Sequence, residues 1–250
     1  MSTSTNDRRR FTGKHIVVTG ATSGIGRAGA HRLAAEGATL TLTGTNPHRL
    51  EALRGELPGA TVLANDASSP AAGDDLAYAI DGGIDGLWLN AGAAALGTVD
   101  TLDADTFDTL VATNLRGPFL HLATLTPQLN PDAAVLVTSS TSAYEAAPAT
   151  SLYAATKAAL IAAVQCWAAE LAPRAIRVNT LIPGAIDTNF RDFMPTETRT
   201  SFEHNVIANV PLGRVGTPDE AASLAAYLLS DDASYITGSR FTIDGGLLRN

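Results

Sequence analysis

One cysteine, two lysines and no long apolar run are what this sequence has least of, and each shortage excludes something. A lone thiol, Cys166, cannot form an internal disulfide, and nothing points to an oxidising compartment. It lies in an alanine-rich helical stretch, so burial in packing is expected for it. The histidines (His15, His31, His48, His121 and His204) are scattered, with no His-x3-His pair and no Cys/His cluster, so no metal is expected. No stretch of about 18 uninterrupted apolar residues exists, so no membrane span is expected. The N-terminal charges are not followed by an apolar run of signal length, and a soluble cytoplasmic protein is the expectation. With a net charge of −8 and one dense basic run, Arg8-Arg9-Arg10, the chain lacks the clustered cations that nucleic acid requires. No Gly-x-Ser-x-Gly motif is present, which argues against a serine hydrolase.

What is there is an alternation of short β-rich runs with longer helical ones. Strands are expected over His15 to Val18, Thr39 to Thr43, Thr61 to Ala64, Leu87 to Leu89, Ala134 to Thr138, Arg177 to Leu181 and Phe241 to Ile243. Helices are expected over Ile25 to Glu36, Pro47 to Leu57, Ala104 to Leu129, Leu152 to Leu171 and Pro218 to Leu229. Strands that are apolar throughout, alternating with helices, predict an α/β fold: a single doubly wound parallel sheet of Rossmann type, about seven strands, with helices on both faces. Residues 1–10 read as a flexible tail and 11–250 as one domain. Residues 187–216 show no clear strand and are expected to form a mobile helical insert over the site.

The first expected strand runs into Thr19-Gly20-Ala21-Thr22-Ser23-Gly24-Ile25-Gly26, and a helix follows. Glycines let the backbone turn sharply and approach a pyrophosphate. A helix N-terminus adds unpaired N–H groups and the positive end of its dipole. The spacing Gly20-x3-Gly24-x-Gly26 departs from the usual dinucleotide fingerprint. A Gly24-x-Gly26-x-x-Gly29 reading also exists, but Gly24 is not the first glycine after the strand. Alone, the loop also fits a ligand-free helix-opening turn or a methyl-donor-binding protein.

Tyr153 and Lys157 stand four residues apart, on one face of an expected helix. Free tyrosine titrates at about 10, and a neighbouring positive charge is expected to lower that value into a useful range. Random placement would give about 0.04 such pairs in this chain. The sequence otherwise uses arginine for positive charge, yet keeps here a compact ammonium that can share hydrogen bonds with ribose hydroxyls. Ser140 ends the fifth expected strand, where sheets of this kind form their ligand crevice, and its hydroxyl can donate to a substrate oxygen. Ser139 and Ser142 are rivals for that role, and Tyr144 lies in the same loop. Asn114 falls inside an expected helix, where its side chain competes for backbone hydrogen bonds, and Leu115-Arg116-Gly117-Pro118 strains helical continuity.

These motifs, in this order, resemble the short-chain dehydrogenase/reductase family, in its subgroup of roughly 250 residues that includes 3-oxoacyl-carrier-protein reductases. The resemblance runs from about Phe11 to Gly246. It implies a nicotinamide-dependent oxidoreductase that interconverts a carbonyl and a secondary alcohol on a small molecule, and it picks Ser140 among the serines. It implies that hydride passes between nicotinamide C4 and the carbonyl carbon. Tyr153 then moves the proton, Lys157 tunes it and grips the ribose, Ser140 orients the oxygen, and Asn114 helps hold a relay water. For the cofactor it implies Gly20, Thr22, Ser23, Gly24, Ile25 and Gly26 at the phosphates, and Thr45, Asp66 and Ala67 at the adenosine. Asn90, Ala91 and Gly92 would form the wall after the fourth strand, and Pro183, Gly184, Ile186 and Thr188 would meet the nicotinamide. Leu89 departs from the second asparagine that many members carry.

Cofactor choice is set after the second strand, where an acid would bind the ribose hydroxyls and repel a 2′-phosphate. The chain has Thr43-Gly44-Thr45-Asn46, with no acid, and no base at Thr45 or Ser23. NADP(H) is therefore expected over NAD(H), and Arg49 reads either as a solvated helix arginine or as a group that can reach the phosphate. The Leu152 to Leu171 helix looks apolar around much of its circumference and carries Ala158, Ala159, Ala162 and Ala163. The resemblance implies a homotetramer, or a homodimer, built on it. Phe190, Phe193, Met194 and Phe202 suggest an apolar lid or, alternatively, core packing. The rival from another class is a catalytically silent dinucleotide-binding regulator, which needs the glycine loop but not Asn114, Ser140, Tyr153 and Lys157.

Overall fold

The computed structural model describes residues 9–191 and 196–248. In chain order the elements are β1 (His15–Val18), α1 (Gly24–Ala35), β2 (Thr39–Gly44), α2 (Pro47–Glu56), β3 (Thr61–Ala64), α3 (Ala72–Ala79), β4 (Ile84–Leu89) and α4 (Ala104–Val111). A π-helical turn (Ala112–Arg116) leads into α5 (Gly117–Leu125), and β5 (Leu129–Thr138), α6 (Ser142–Glu145), α7 (Ser151–Leu171) and β6 (Arg177–Pro183) follow. A 3₁₀ turn (Asn189–Arg191), α8 (Thr196–Asn209), α9 (Pro218–Leu229) and β7 (Arg240–Ile243) complete the chain.

All seven strands are parallel, in the order β3-β2-β1-β4-β5-β6-β7. Side chains alternate across them, so each strand feeds two cores. Ile16, Val18, Trp88 and Leu136 pack with Leu33, Leu42 and Leu228 on the α1, α2 and α9 side. Val17, Leu87, Leu89, Val135 and Val137 pack with Leu76, Leu122, Leu160 and Val164 on the α3, α5 and α7 side. This is why the strands read as apolar throughout. The order reverses between β1 and β4, and the crevice beyond their C-terminal ends is where sheets of this topology bind ligands.

Helix starts follow local chemistry. Asn46 caps α2, its side chain accepting from the Arg49 N–H, with Pro47 next. Thr217 and Glu220 cap α9 reciprocally, as a capping box. Several expectations need correction. The helix placed over Ala104 to Leu129 is three pieces: it is interrupted at Ala112–Arg116 and stops at Leu125, because Thr126–Gln128 tightens to a 3₁₀ turn and Leu129 pairs with Ile84 in the sheet. The alanine- and glycine-rich α3 carried too weak a pattern to be seen. Arg10, assigned to the tail, belongs to the fold: its Nε and Nη2 donate to Glu36 at 2.6 and 2.9 Å, and Arg32 meets the same carboxylate. Residues 1–8 lie outside the described residues.

Cys166 is exposed, not buried. Leu160, Ile161, Val164 and Ala168 take the sheet-facing side of α7, and Ala155, Ala158, Ala162 and Cys166 fall on the opposite side. The segment Ser151–Arg174 is long and apolar enough to cross a membrane by length and composition. Counting uninterrupted apolar residues missed this. In the fold that hydropathy covers the sheet.

Candidate active site

The glycine loop leaves β1 and turns back at Gly20, whose φ of +65° is a left-handed conformation that costs glycine little. A Cβ at Gly20 would lie 2.8 Å from Ala91 Cα, and one at Gly26 would lie 2.3 Å from the Gly20 carbonyl oxygen. These positions bring bare backbone together at the mouth of the crevice. Ser23, at the N-cap of α1, makes no side-chain cap bond. The first-turn N–H groups, which no helix satisfies internally, therefore point into the crevice without that competitor. Gly29, the third glycine of the alternative reading, serves packing: a Cβ there would meet the Trp88 ring at 2.1 Å. Gly44 lies against Thr22 in the same way, at 2.4 Å.

Thr19 and Asn90 tie β1 to β4. Thr19 Oγ1 accepts from the N–H groups of Asn90 (3.0 Å) and Ala91 (3.1 Å), and Asn90 Nδ2 donates to the carbonyls of Thr19 and Gly20. Thr138, at the end of β5, accepts from Trp88 Nε1 at 2.9 Å and donates to Asn90 Oδ1 at 3.0 Å. Its carbonyl accepts from Lys157 Nζ at 3.1 Å. Sequence reasoning passed over Thr19, Thr138 and Thr156. The hydroxyl run Thr138-Ser139-Ser140-Thr141-Ser142 at the end of β5 was the signal for Thr138, and the isolated Thr19 and Thr156 had none.

Tyr153, Lys157, Ser140 and Asn114 converge here. Lys157 is buried, with its Nζ 5.8 Å from the centroid of the Tyr153 ring. The Ser140 hydroxyl lies close enough to the phenol to favour its ionised form. Ser139 faces away, donating to the Lys157 carbonyl at 2.8 Å, so it anchors α7. Ser142 donates its N–H to Ser140 Oγ at 3.2 Å, and Tyr144 reaches out to Arg240. Asn114 is fully buried in the π turn, which turns its amide inward. Its Oδ1 accepts from the Ala93 N–H at 2.8 Å, and its Nδ2 donates to the Ala93 carbonyl at 2.9 Å and to Thr156 Oγ1 at 3.2 Å. A Cβ on Gly92 would lie 3.2 Å from Lys157 Nζ and 3.3 Å from Asn114 Oδ1, so both atoms border one small space.

The electrostatics correct one expectation. Desolvation pushes the Tyr153 phenol up to about 12, against the Ser140 hydroxyl, which favours its ionised form; the Glu145 charge adds to the rise. Desolvation likewise pulls the Lys157 ammonium down to about 8. In the protein alone, burial outweighs the lysine's expected influence on the phenol.

The structure places the remaining expected residues at or beyond the C-terminal ends of β2, β3 and β6. Asp66 is exposed and accepts from Ser68, with Ala67 buried beside it against Gly117. Thr45 is exposed at the end of β2. Pro183 ends β6, Gly184 lies against Asp244, and the buried Ile186 pairs with Gly216. Thr188 Cγ2 lies 3.1 Å from a Cβ position on Gly24, and Phe190 stacks tilted on Tyr153 with centroids 6.0 Å apart. Phe193 and Met194 lie outside the described residues, and so does the side chain of Phe202. Among the described residues no cluster of metal-binding side chains occurs.

The chain matches the family model described as enoyl-(acyl carrier protein) reductase over residues 20–248. It is 33% identical over 248 residues to the 3-oxoacyl-acyl-carrier-protein reductase FabG of Thermotoga maritima, covering 96% of this chain and 99% of the relative. It is 34% identical over 263 residues to levodione reductase of Leifsonia aquatica, covering 98% of each. A crystal structure of a short-chain dehydrogenase/reductase, glucose/ribitol dehydrogenase, from Brucella melitensis superposes with a TM-score of 0.88 at 33% identity, over 96% of this chain and 98% of that one. Glycine loop, crevice and convergent side chains thus stand in a fold shared along its whole length with named reductases and dehydrogenases, and the chain belongs to the short-chain dehydrogenase/reductase family of nicotinamide-dependent oxidoreductases.

Proposed function

We propose that the chain is an NADP(H)-preferring enzyme that interconverts a carbonyl and a secondary alcohol on a small molecule, with Tyr153 as its acid/base. The observation that carries this reading is the buried Lys157 ammonium over the Tyr153 ring, 5.8 Å from its centroid, with the Ser140 hydroxyl near the phenol and the bare backbone of the glycine loop at the same edge of the sheet. The cradle fits a dinucleotide. Gly20, Thr22, Ser23, Gly24, Ile25 and Gly26 would hold the pyrophosphate, Thr45, Asp66 and Ala67 the adenosine, and Asn90, Ala91 and Gly92 the wall between. Pro183, Gly184, Ile186 and Thr188 would hold the carboxamide, and Tyr153 and Lys157 the ribose. When bound, such a cofactor supplies or accepts a hydride at the nicotinamide ring.

The chain's own residues handle the proton. Ser140 orients the substrate oxygen while the Tyr153 Oη gives it a proton in reduction and takes one back in oxidation. Lys157, with Thr138 as its acceptor, keeps N–H directions for ribose hydroxyls and steadies the phenolate left behind. Asn114 fixes the loop at Ala93, and the space it shares with Lys157 beside Gly92 supports a proton relay toward solvent.

The NADP(H) preference is supported by the end of β2, where Thr45 stands in place of an acid that would repel a 2′-phosphate. The exposed small-residue face of α7, with the part-exposed Phe119 packed edge-on against Trp167 of that helix, supports a homotetramer, or a homodimer. The exposed free thiol of Cys166 fits a reducing, cytoplasmic setting. The test is steady-state kcat/KM with each cofactor across a panel of carbonyl compounds, following nicotinamide absorbance. NADPH is expected to be favoured about tenfold or more, the scale of one charged hydrogen bond. A clear NADH preference overturns the cofactor assignment.

A further inference from the structure

Arg49 follows β2 and Asn189 follows β6, and three strands, β1, β4 and β5, lie between those two in the sheet. At about 4.8 Å per strand, β2 and β6 stand roughly 19 Å apart. Side chains from the two ends therefore meet only by reaching over the C-terminal edge of the sheet, where the crevice opens. They do meet. The Asn189 amide faces two guanidinium N–H groups, so its oxygen must point there, since an NH₂ would oppose donor to donor. In that orientation Oδ1 accepts from Arg49 Nη1 and Nη2 at 2.8 and 2.7 Å.

The residues on either side reinforce the crossing. The Thr188 methyl sits against Gly24, the first residue of α1, and the Phe190 ring sits against Tyr153. Three consecutive residues thus touch α2, α1 and α7, spanning the crevice from its adenosine end to the phenol. We propose that Arg49 and Asn189 form a latch holding residues 188–190 across the dinucleotide crevice, and that the latch sets the rate of cofactor exchange. Both are positioning residues, acting through the strap. The inference rests on the reading that a dinucleotide occupies this crevice.

Stopped-flow nicotinamide fluorescence on the full chain tests it, with NADH and NADPH each displaced from wild type, Arg49→Met, Asn189→Ala, the double variant and Asn189→Asp. Each neutral variant is expected to release NADH about tenfold faster, the scale of one charge-assisted hydrogen bond. The double variant should be no faster than either single, because both remove one shared contact. Asn189→Asp converts the contact to an ion pair and should slow release, with high salt abolishing the slowing. Unchanged release in the single variants, multiplying effects in the double, or acceleration by Asn189→Asp overturns the latch. So does an Arg49→Met effect confined to NADPH, which would mark a phosphate contact instead. Failure of wild type to bind either dinucleotide overturns the reading of the crevice, and the latch with it.

Discussion

Lys157 is a charge placed where water is not. Its ordinary value of 10.5 falls to about 8 because burial penalises the ammonium. Between those two values the unfolded lysine keeps a proton that the folded one has lost, so stability should rise with pH across that window. Below about pH 8 the full penalty is present, on the order of 3 kcal/mol. Replacing Lys157 by methionine should therefore stabilise the cofactor-free protein at pH 7 by about 2 kcal/mol, with a gain that shrinks above pH 8, while abolishing turnover. Urea unfolding at several pH values checks this; a variant less stable than wild type at pH 7 by a pH-independent amount contradicts it. Tyr153 shifts the opposite way, from 10.0 up to about 12, so its contribution is complete below pH 10 and is lost as pH rises through 12. The tyrosine–lysine spacing was legible because it is local to one helix. The groups that hold Lys157 and Asn114 were not: the Thr138 carbonyl at the end of β5 and the Ser139 hydroxyl just beyond it act on α7, and the Thr156 hydroxyl acts across to the π turn, contacts no spacing rule encodes.

Most strands and helix starts were legible because apolar runs and caps are local. What failed was continuity. The stretch from Ala104 reads as one helix by periodicity, but Asn114 demands partners that a regular helix does not offer. The chain widens into a π turn that gives the amide to Ala93 and Thr156. Helix α7 shows a second limit, since hydropathy alone does not say which face meets the sheet. In the structure Leu160 and Val164 do, leaving Ala155, Ala158, Ala162 and Cys166 outward. A face so poor in charge is suited to a second copy of the chain. Multi-angle light scattering should give the mass of a homotetramer or homodimer, and Ala158→Arg with Ala162→Arg should shift it toward the 25.8 kDa chain. A wild-type monomer contradicts that assembly.

The whole molecule is an arrangement for bringing distant segments to one edge of a parallel sheet. The glycine loop comes from β1, the Asn90 wall from β4, Ser140 from β5, and the strap from β6, and all meet where the strand order reverses. The doubly wound topology was legible because apolar strands alternate with helices. The crossing from Arg49 to Asn189 was not, since it depends on where the ends of β2 and β6 lie in space. The account as a whole stands on the phenol as the proton donor and acceptor. Tyr153→Phe removes one oxygen and leaves the ring that packs against Phe190. Measured by NADPH titration and by single-turnover hydride transfer to a carbonyl substrate, this variant should bind cofactor within about twofold of wild type and transfer hydride about a thousandfold more slowly. Hydride transfer at a near-normal rate would contradict the account.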